Sequence, residues 1–292
     1  MKEKMFGRSS VFTKYLKIVL LMGLMILCSV IPVYAAENAA ENKTENTTDS
    51  AAVKKTPTKN VWVEKKGYYY YKNAKGKNVT GVKKIKGRYY MFDSKGRQKT
   101  GWRKIKGKYY FFKIAGGEEG YRLSSTKVNG LKLNKQGAAV VKTANQKLKA
   151  QTLYQYATWV DSFIKPTMTD KQKLNACLKQ LKKFGFKPEG PAVLKKSNWD
   201  VVCASEFYER RKTSNKGNCY RFASAFAYMA NAIGYKKVQV CAHDGHGWTK
   251  IDGNVYDLTY AINIGKKYFP VPKKKANIYS ASAKYIRDLR KF

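Results

Sequence analysis

Hydrophobic and polar positions follow different periods in successive parts of the chain. A predominantly apolar run occupies 18–33, near the start. An aromatic-rich pattern of short segments, typical of β-strands, follows over 61–140, and helical spacing appears from residue 141 onward. The change of pattern predicts two folded parts: an array of β-hairpins over 61–140 and an α+β domain over 141–292.

A regular glycine spacing organises the predicted array. Gly67, Gly87 and Gly107 are each 20 residues apart, and each is followed by a short aromatic segment. This period suits one β-hairpin per unit, and because a lone hairpin is marginal in water, successive hairpins must stack their aromatic faces into a shared core. A stretch over 130–137 is predicted to be a degraded final unit that caps this solenoid.

Helical spacing opens the second part. Apolar residues between Leu148 and Phe163 predict a first amphipathic helix, and Thr169 is placed to cap a second one that ends before Gly185. Both helices are expected to pack in the core.

Cys219 is the residue of this part that is best placed for nucleophilic chemistry. It opens a predicted buried helix that Asn218 caps and Gly234 ends. A thiol in a first helical turn feels the positive end of the helix dipole, which lowers its pKa and favours the thiolate. A lone cysteine on a helix is more often a small core residue, so the assignment depends on its partners.

A predicted β-hairpin supplies these partners. One strand begins at Val238, an Asp-Gly turn at 244–245 follows, and His246 starts the next strand. If the next Asp-Gly turn, at 252–253, is a two-residue loop, Asp257 lies on the same face as His246 and can orient its imidazole. A three-residue loop would place Asp257 on the opposite face.

Three short patterns in this region resemble the transglutaminase-like superfamily, in which a cysteine on a helix precedes a histidine on one strand and an aspartate on the next. They are Gly-x-Cys at 217–219, His-x-Trp at 246–248 and Tyr-Asp-Leu-Thr at 256–259. The resemblance covers about 145–270 and implies a papain-like fold. It also implies that Cys219 is the nucleophile, His246 the general base and acid, and Asp257 the residue that orients His246. His243 is the weaker candidate base because no tryptophan lies two residues after it.

The array resembles the cell-wall-binding repeats of surface proteins, a group that includes choline-binding and glucan-binding repeats. In choline-binding members, tryptophans of adjacent units build a cation cage, but Val82 stands here where Trp102 stands in the next unit. The expected ligand is therefore a wall carbohydrate or a teichoic-type polyanion. The candidate ligand-binding residues are Trp62, Tyr69, Tyr89, Trp102 and Tyr109. The alternative is that these aromatic residues only hold the solenoid together.

Charge and the first residues indicate the compartment. The 59 Lys and Arg residues against 19 Asp and Glu give a net charge of +40, which attracts any polyanion. Residues 1–35 have the order of a secretory signal peptide, an uncleaved membrane anchor being the alternative, and 36–60 has the composition of a flexible linker. The expected location is the wall or surface of a Gram-positive-type bacterium, with no stable membrane span after signal cleavage and no nucleic-acid partner.

The cysteine and histidine pattern does not favour a metal site. After the predicted signal peptide the cysteines form no CxxC pair, and His243 and His246 are the only histidines, so we expect neither a metal nor another cofactor. Export leaves a disulfide open among three of the cysteines, although the sequence assigns no pairing. They are Cys177, Cys203 and Cys241.

Together these patterns predict a secreted, wall-associated thiol enzyme that acts on amide bonds of wall peptides or surface proteins through a cysteine thioester. Hydrolysis and crosslinking both stay open, because the same thioester serves either reaction. The alternative from another class is a non-catalytic wall-binding adhesin or scaffold that keeps the transglutaminase-like fold.

Overall fold

The computed structural model describes residues 59–188, 194–214, 216–264 and 269–290. These residues belong to one compact unit, Lys55–Phe292. The predicted signal peptide and nearly all of the predicted linker lie outside the described residues. Within the described residues, every helix is too short or too polar to cross a bilayer.

The aromatic repeats form antiparallel hairpins, which confirms the prediction of one hairpin per glycine period. Their strands are β1 (Val61–Lys65) with β2 (Tyr68–Lys72), β3 (Gly81–Ile85) with β4 (Arg88–Phe92), and β6 (Gly101–Ile105) with β7 (Lys108–Phe112). A short strand, β5 (Gln98–Lys99), pairs antiparallel with β4 as the third strand of that sheet. Each hairpin turns at Lys-Gly with positive φ at both residues, as at Lys86 (46°) and Gly87 (81°). This turn geometry matches the twist of the flanking strands.

A fourth, shorter hairpin closes the repeat region. Strands β8 (Lys127–Val128) and β9 (Leu131–Lys132) are joined by an Asn-Gly turn with the same positive φ values. Leucines replace the aromatic residues of the earlier units, and Leu131 and Leu133 are buried. Both leucines pack in the same hydrophobic cluster as the helices that follow in the chain.

Four helices form most of the next layer: α1 (Ala144–Val160), α2 (Asp170–Leu181), α3 (Trp199–Arg210) and α4 (Cys219–Ala232). The first two begin with capping boxes, in which Thr143 pairs with Gln146 and Thr169 with Gln172. Helix α4 is buried along most of its length and packs against α1, α3 and the sheet. Two short strands, β10 (Gly185–Phe186) and β11 (Lys216–Gly217), pair in parallel just before it.

A four-stranded antiparallel sheet completes the α+β fold in the order β14-β13-β12-β15. Its strands are β12 (Val238–His243), β13 (His246–Ile251), β14 (Asn254–Tyr256) and β15 (Tyr285–Asp288). Two helices, α5 (Leu258–Asn263) and α6 (Lys273–Ser282), lie between β14 and β15 in the chain. Ile251 pairs with Asn254, so the Asp252-Gly253 loop has two residues. This is the loop length for which the sequence predicts Asp257 on the same side as His246.

The repeats and the helices share one hydrophobic core. Trp102 and Leu133 are buried in the same cluster as Leu153 and Tyr156 of α1. A second, separate cluster of Tyr71, Ile85, Tyr90 and Phe92 holds the first two hairpins together. The predicted boundary between 140 and 141 therefore crosses a continuous core.

Buried polar contacts reinforce this junction. The indole Nε1 of Trp102 donates to Oδ1 of Asn129 at 2.9 Å. In turn, Nδ2 of Asn129 donates to Oδ1 of Asn231, on α4, at 2.7 Å and to the carbonyl of Leu289 at 3.1 Å. One asparagine thus joins the third hairpin to the central helix and to the end of the described chain.

Candidate active site

Cys219 is the first residue of α4 and is buried, with 7% of its surface exposed. Asn218 caps the helix by accepting a hydrogen bond from the backbone N–H of Arg221 at 2.9 Å. The residue before the cap, Gly217, has no space for a side chain, because a Cβ there would lie 2.9 Å from the ring of Phe207. The thiol therefore lies at the positive end of a helix dipole.

His246 begins β13, and the strand runs unusually close to the first turn of α4. A Cβ on Gly247 would lie 2.9 Å from Cδ1 and 3.1 Å from Cα of Tyr220. Only glycine permits this approach, because the second of these atoms is backbone and cannot rotate away. The contact brings His246 beside Cys219, close enough for the cysteine to raise the pKa of the imidazole.

Asp257 follows β14 directly and caps α5, so it does not lie inside a strand. Its side chain is fully buried, and Oδ2 lies 2.7 Å from Nε2 of His246. Two further donors hold the carboxylate: the backbone N–H of Tyr260 reaches Oδ1 at 3.1 Å and the hydroxyl of Tyr279 reaches Oδ2 at 2.6 Å. The carboxylate is thus fixed in one orientation toward the imidazole.

The protonation of His246 follows from this geometry. Burial lowers the pKa of His246, but the hydrogen bonds to Asp257 and Cys219, and the charges of both groups, raise it to about 9 from the ordinary 6.5. Because Nε2 faces Asp257, Nδ1 is the nitrogen left for Cys219. At neutral pH the arrangement therefore favours an imidazolium beside the sulfur of Cys219.

Three aromatic rings surround the imidazole of His246. The ring centroids of Trp248, Tyr260 and Tyr279 lie 6.2, 5.8 and 6.3 Å from that of His246. Trp248 stacks on the imidazole and is also buried in a cluster with Cys241. These rings exclude water from one side of the histidine.

Other histidine and cysteine side chains do not join this arrangement. Nδ1 of His243 accepts a hydrogen bond from the N–H of Gly245 at 3.0 Å, in its own turn. All four cysteines of the described residues are buried and free, so no disulfide joins Cys177, Cys203 and Cys241 here. Burial raises the pKa of Cys203 and Cys241 to about 12 and that of Cys177 as well. Across the described ranges, no three His, Cys, Asp or Glu side chains are grouped to hold a metal.

The aromatic residues proposed to bind a wall ligand have different surroundings. Trp102 and Tyr109 are buried in the core shared with α1, so their faces are not open to a polymer. Trp62 is half-buried among Tyr71, Tyr90 and Phe92, and half-buried Tyr69 lies against Gly116. Tyr89, at 37% exposure, is the one exposed ring of the five.

Sequence reasoning missed two contributors to the site. Tyr279 belongs to a lysine-rich helix whose pattern gives no sign that it reaches Asp257. Gly247 lies within a strand, where an isolated glycine is a known sign of close backbone approach, so a signal for it existed.

Comparison with known proteins identifies the class of the hairpin array. Residues 79–119 match the choline-binding repeat family. This part of the chain, on a mixed α+β fold with β-hairpin repeats, is therefore similar to choline-binding repeats of cell-surface proteins. No curated protein matches the chain.

Solved structures include similar repeats. A choline-binding domain from Streptococcus pneumoniae is 28% identical over 29% of this chain and 98% of that domain, with a TM-score of 0.26. Choline binding protein F of the same organism, determined with a peptidoglycan analogue, is 30% identical over 28% of this chain and 27% of its own length, with a TM-score of 0.26.

A third similar structure is the pneumococcal cell wall endolysin of phage Cp-1, complexed with choline. It is 26% identical over 32% of this chain and 28% of that chain, with a TM-score of 0.25. The match thus spans less than a third of the length of the last two proteins. With TM-scores this low, the family match over 79–119 is the comparison that identifies the array.

Proposed function

We propose that this protein is a wall-associated thiol enzyme, in which the repeats bind the wall and a transglutaminase-like C-terminal half cleaves or transfers amide bonds. The observation that carries the catalytic proposal is the chain of contacts from Cys219 through His246 to Asp257. It combines a thiol at a helix N-terminus, an imidazole beside it and a buried carboxylate 2.7 Å from that imidazole. These are the nucleophile, base and orienting group that covalent catalysis needs.

The proposed reaction proceeds in two steps. The Cys219 thiolate attacks an amide carbonyl, the C–N bond breaks, and the leaving amine takes a proton from the imidazolium of His246. In the second step water or another amine gives a proton to His246 and attacks the thioester, which restores the thiolate. Asp257 holds the ring in place throughout, and the backbone N–H of Cys219 is the proposed donor to the oxyanion.

The repeats support the proposed location at the cell surface. Similar repeats occur in structures determined with choline and with a peptidoglycan analogue. The net charge of +40 would further attract an anionic wall polymer. Attachment to the wall raises the effective concentration of any substrate in the same wall, so wall peptides and surface proteins are the proposed amide substrates.

A non-catalytic adhesin or scaffold is the second candidate function. The comparisons favour it over the enzymatic proposal, because the family match lies within the repeats and concerns binding. In that case Cys219, His246 and Asp257 would form a buried hydrogen-bonded cluster without turnover. The two proposals differ in the reactivity of one thiol.

The first test is iodoacetamide labelling of the cysteines, followed by peptide mass spectrometry over the range from about pH 5 to 9. Cys219 should label roughly tenfold faster at neutral pH than an ordinary thiol, and His246→Ala should abolish the difference. His243→Ala is the matched control and should leave it intact. The three other cysteines of the described residues are buried, and that burial raises their pKa values, so they serve as slowly labelled internal references. Labelling of Cys219 at an ordinary rate would favour the scaffold.

The second test combines wall binding with turnover. The full chain should sediment with purified cell walls, and Cys219→Ala should sediment equally. Each chain is then incubated with the purified walls in the presence of hydroxylamine, which intercepts a thioester. The unaltered chain should give peptide hydroxamates, and Cys219→Ala should give none. Sedimentation without hydroxamates would support the adhesin, and failure to sediment would remove the wall-binding proposal.

A further inference from the structure

Several tyrosine rings of the array carry a cation supplied by the chain itself. The face of an aromatic ring attracts cations, and aromatic cages bind quaternary ammonium groups in this way. Lysine or arginine groups lie within 6 Å of the ring centroids of Tyr68, Tyr89, Tyr110 and Tyr121. A ligand cation would have to displace these groups to reach the same ring faces.

Arg122 occupies the clearest of these sites. Its guanidinium carbon lies 4.1 Å from the ring centroid of Tyr89, in the second hairpin, and 5.5 Å from that of Tyr110, in the third. Its backbone N–H donates to the carbonyl of Tyr89 at 2.8 Å. A Cβ on Gly137 would lie 3.0 Å from Nε of Arg122, so this glycine makes room for the side chain. The arginine is thus seated between aromatic rings of adjacent units.

The charge of Arg122 is not neutralised within the described residues. Arg88 lies over Tyr121 at 4.3 Å in a similar way, but Glu119 is 3.7 Å from its guanidinium. The neighbouring Glu118 pairs with Lys86. No described carboxylate forms an ion pair with Arg122, and its side chain is only half-buried. The guanidinium of Arg122 lies over the tyrosine rings, and within the described residues its N–H groups make no hydrogen bond, so these donors are open to another acceptor.

We propose that Arg122 fills the aromatic cation site between the second and third hairpins from within and converts it into a site for an anion. The ligand class is a phosphodiester polymer, whose oxygens accept paired hydrogen bonds from a guanidinium. Choline does not bind at this site while Arg122 is present. The inference rests on the proposed wall binding and specifies its ligand.

The test uses the full chain and two probes, choline chloride and choline-free poly(glycerol phosphate), in calorimetric titrations at about 0.15 M salt. The unaltered chain should bind the polymer and give no saturable heat with choline. Arg122→Ala should weaken polymer binding about tenfold and should gain choline binding, since the ring faces become free. Arg88→Ala, which removes the same charge from an ion-paired arginine, should weaken polymer binding much less.

A second variant guards against misfolding. Arg122→Gln keeps most of the side-chain length beside Gly137 but removes the charge, and it should weaken polymer binding as Arg122→Ala does. Choline binding by the unaltered chain would overturn the proposal, as would equal effects of the Arg122 and Arg88 variants on polymer binding. So would a folded Arg122→Ala chain that fails to gain choline binding. Sedimentation with purified walls is measured in parallel. If the unaltered chain does not sediment with the walls, the proposed wall binding itself is wrong.

Discussion

Three donors converge on the carboxylate of Asp257: the imidazole of His246, the hydroxyl of Tyr279 and the backbone N–H of Tyr260. Two of them share Oδ2. Each donor spreads the negative charge and so weakens the pull of the carboxylate on the others. The proton affinity of His246 is therefore set partly by a tyrosine on α6, which has no contact with Cys219 among the hydrogen bonds described.

Replacing Tyr279 by phenylalanine should raise the pKa of His246 above its present value of about 9. The carboxylate loses its 2.6 Å hydroxyl donor and becomes a stronger acceptor for the imidazole. NMR titration of the His246 ring measures the change. Tyr260→Phe is the matched control, because its hydrogen bond to Asp257 comes from the backbone and persists. An unchanged pKa in Tyr279→Phe would show that the hydroxyl is only structural.

The raised pKa of His246 also predicts how stability depends on pH. The folded pKa, about 9, exceeds the ordinary 6.5, so the folded chain binds the proton more tightly than the unfolded chain. The resulting stabilisation is complete below pH 6.5 and is lost as pH rises through 9. A shift of this size corresponds to roughly 3 kcal/mol.

Urea unfolding of the unaltered chain and of His246→Gln checks this dependence. Their difference in unfolding free energy should shrink between about pH 6.5 and 9. His243→Gln provides the contrast: burial and the charge of His246 lower the pKa of His243, so any stabilisation from its neutral form is lost as pH falls. A difference for His246→Gln that does not vary with pH would contradict the assigned ion pair.

At the scale of elements, the site depends on the close approach of β13 to the first turn of α4. Gly247→Ala would place a methyl group 3.1 Å from Cα of Tyr220, which forces strand and helix apart. We expect a loss of roughly 1–3 kcal/mol in unfolding free energy. Labelling of Cys219 by iodoacetamide should also slow, because His246 moves with the strand.

Gly245→Ala is the control for this substitution. It lies in the adjacent turn, and its added methyl group would meet only the His243 ring, at 3.4 Å. Both the unfolding free energy and the labelling rate should stay close to those of the unaltered chain. Equal labelling of Cys219 in the two alanine variants would show that the spacing between β13 and α4 does not control the thiol.

At the scale of the whole molecule, the hairpins of the array belong to two different hydrophobic cores. The first two hairpins have their own small core, whereas Trp102, Leu131 and Leu133 belong to the core of the helices. The repeat array is therefore attached to the helices that carry the candidate active site through packed side chains of the third and fourth hairpins. The hairpins before them extend the array without contributing to that core.

Truncation distinguishes these roles. A chain that begins at residue 94 should unfold cooperatively and retain rapid labelling of Cys219, because the shared core is intact. A chain that begins at residue 141 loses the partners of α1, at about 1.5–3 kcal/mol for each large apolar side chain removed. That loss approaches the total stability of an ordinary domain. Urea unfolding and labelling measure both, and equal behaviour of the two fragments would show that the array is independent.

The local features of the fold followed from the sequence, because they depend on residues close together in the chain. The glycine period predicted the hairpins, since Lys-Gly turns need positive φ at both positions. Thr169 and Asn218 predicted the starts of α2 and α4, whereas Thr143, the cap of α1, became evident only in the structure. The Asp-Gly loop set the register that brings Asp257 toward His246, because two-residue turns leave no freedom in strand pairing.

Contacts between distant residues were decided by tertiary structure alone. The approach of Tyr279 to Asp257, the capping position of Asp257 and the burial of Trp102 and Tyr109 depend on packing partners far away in the chain. So does the position of Arg122 between two tyrosines. An aromatic or basic residue has the same local pattern whether it faces solvent, a ligand or another part of the chain, so its role is determined only when the core forms.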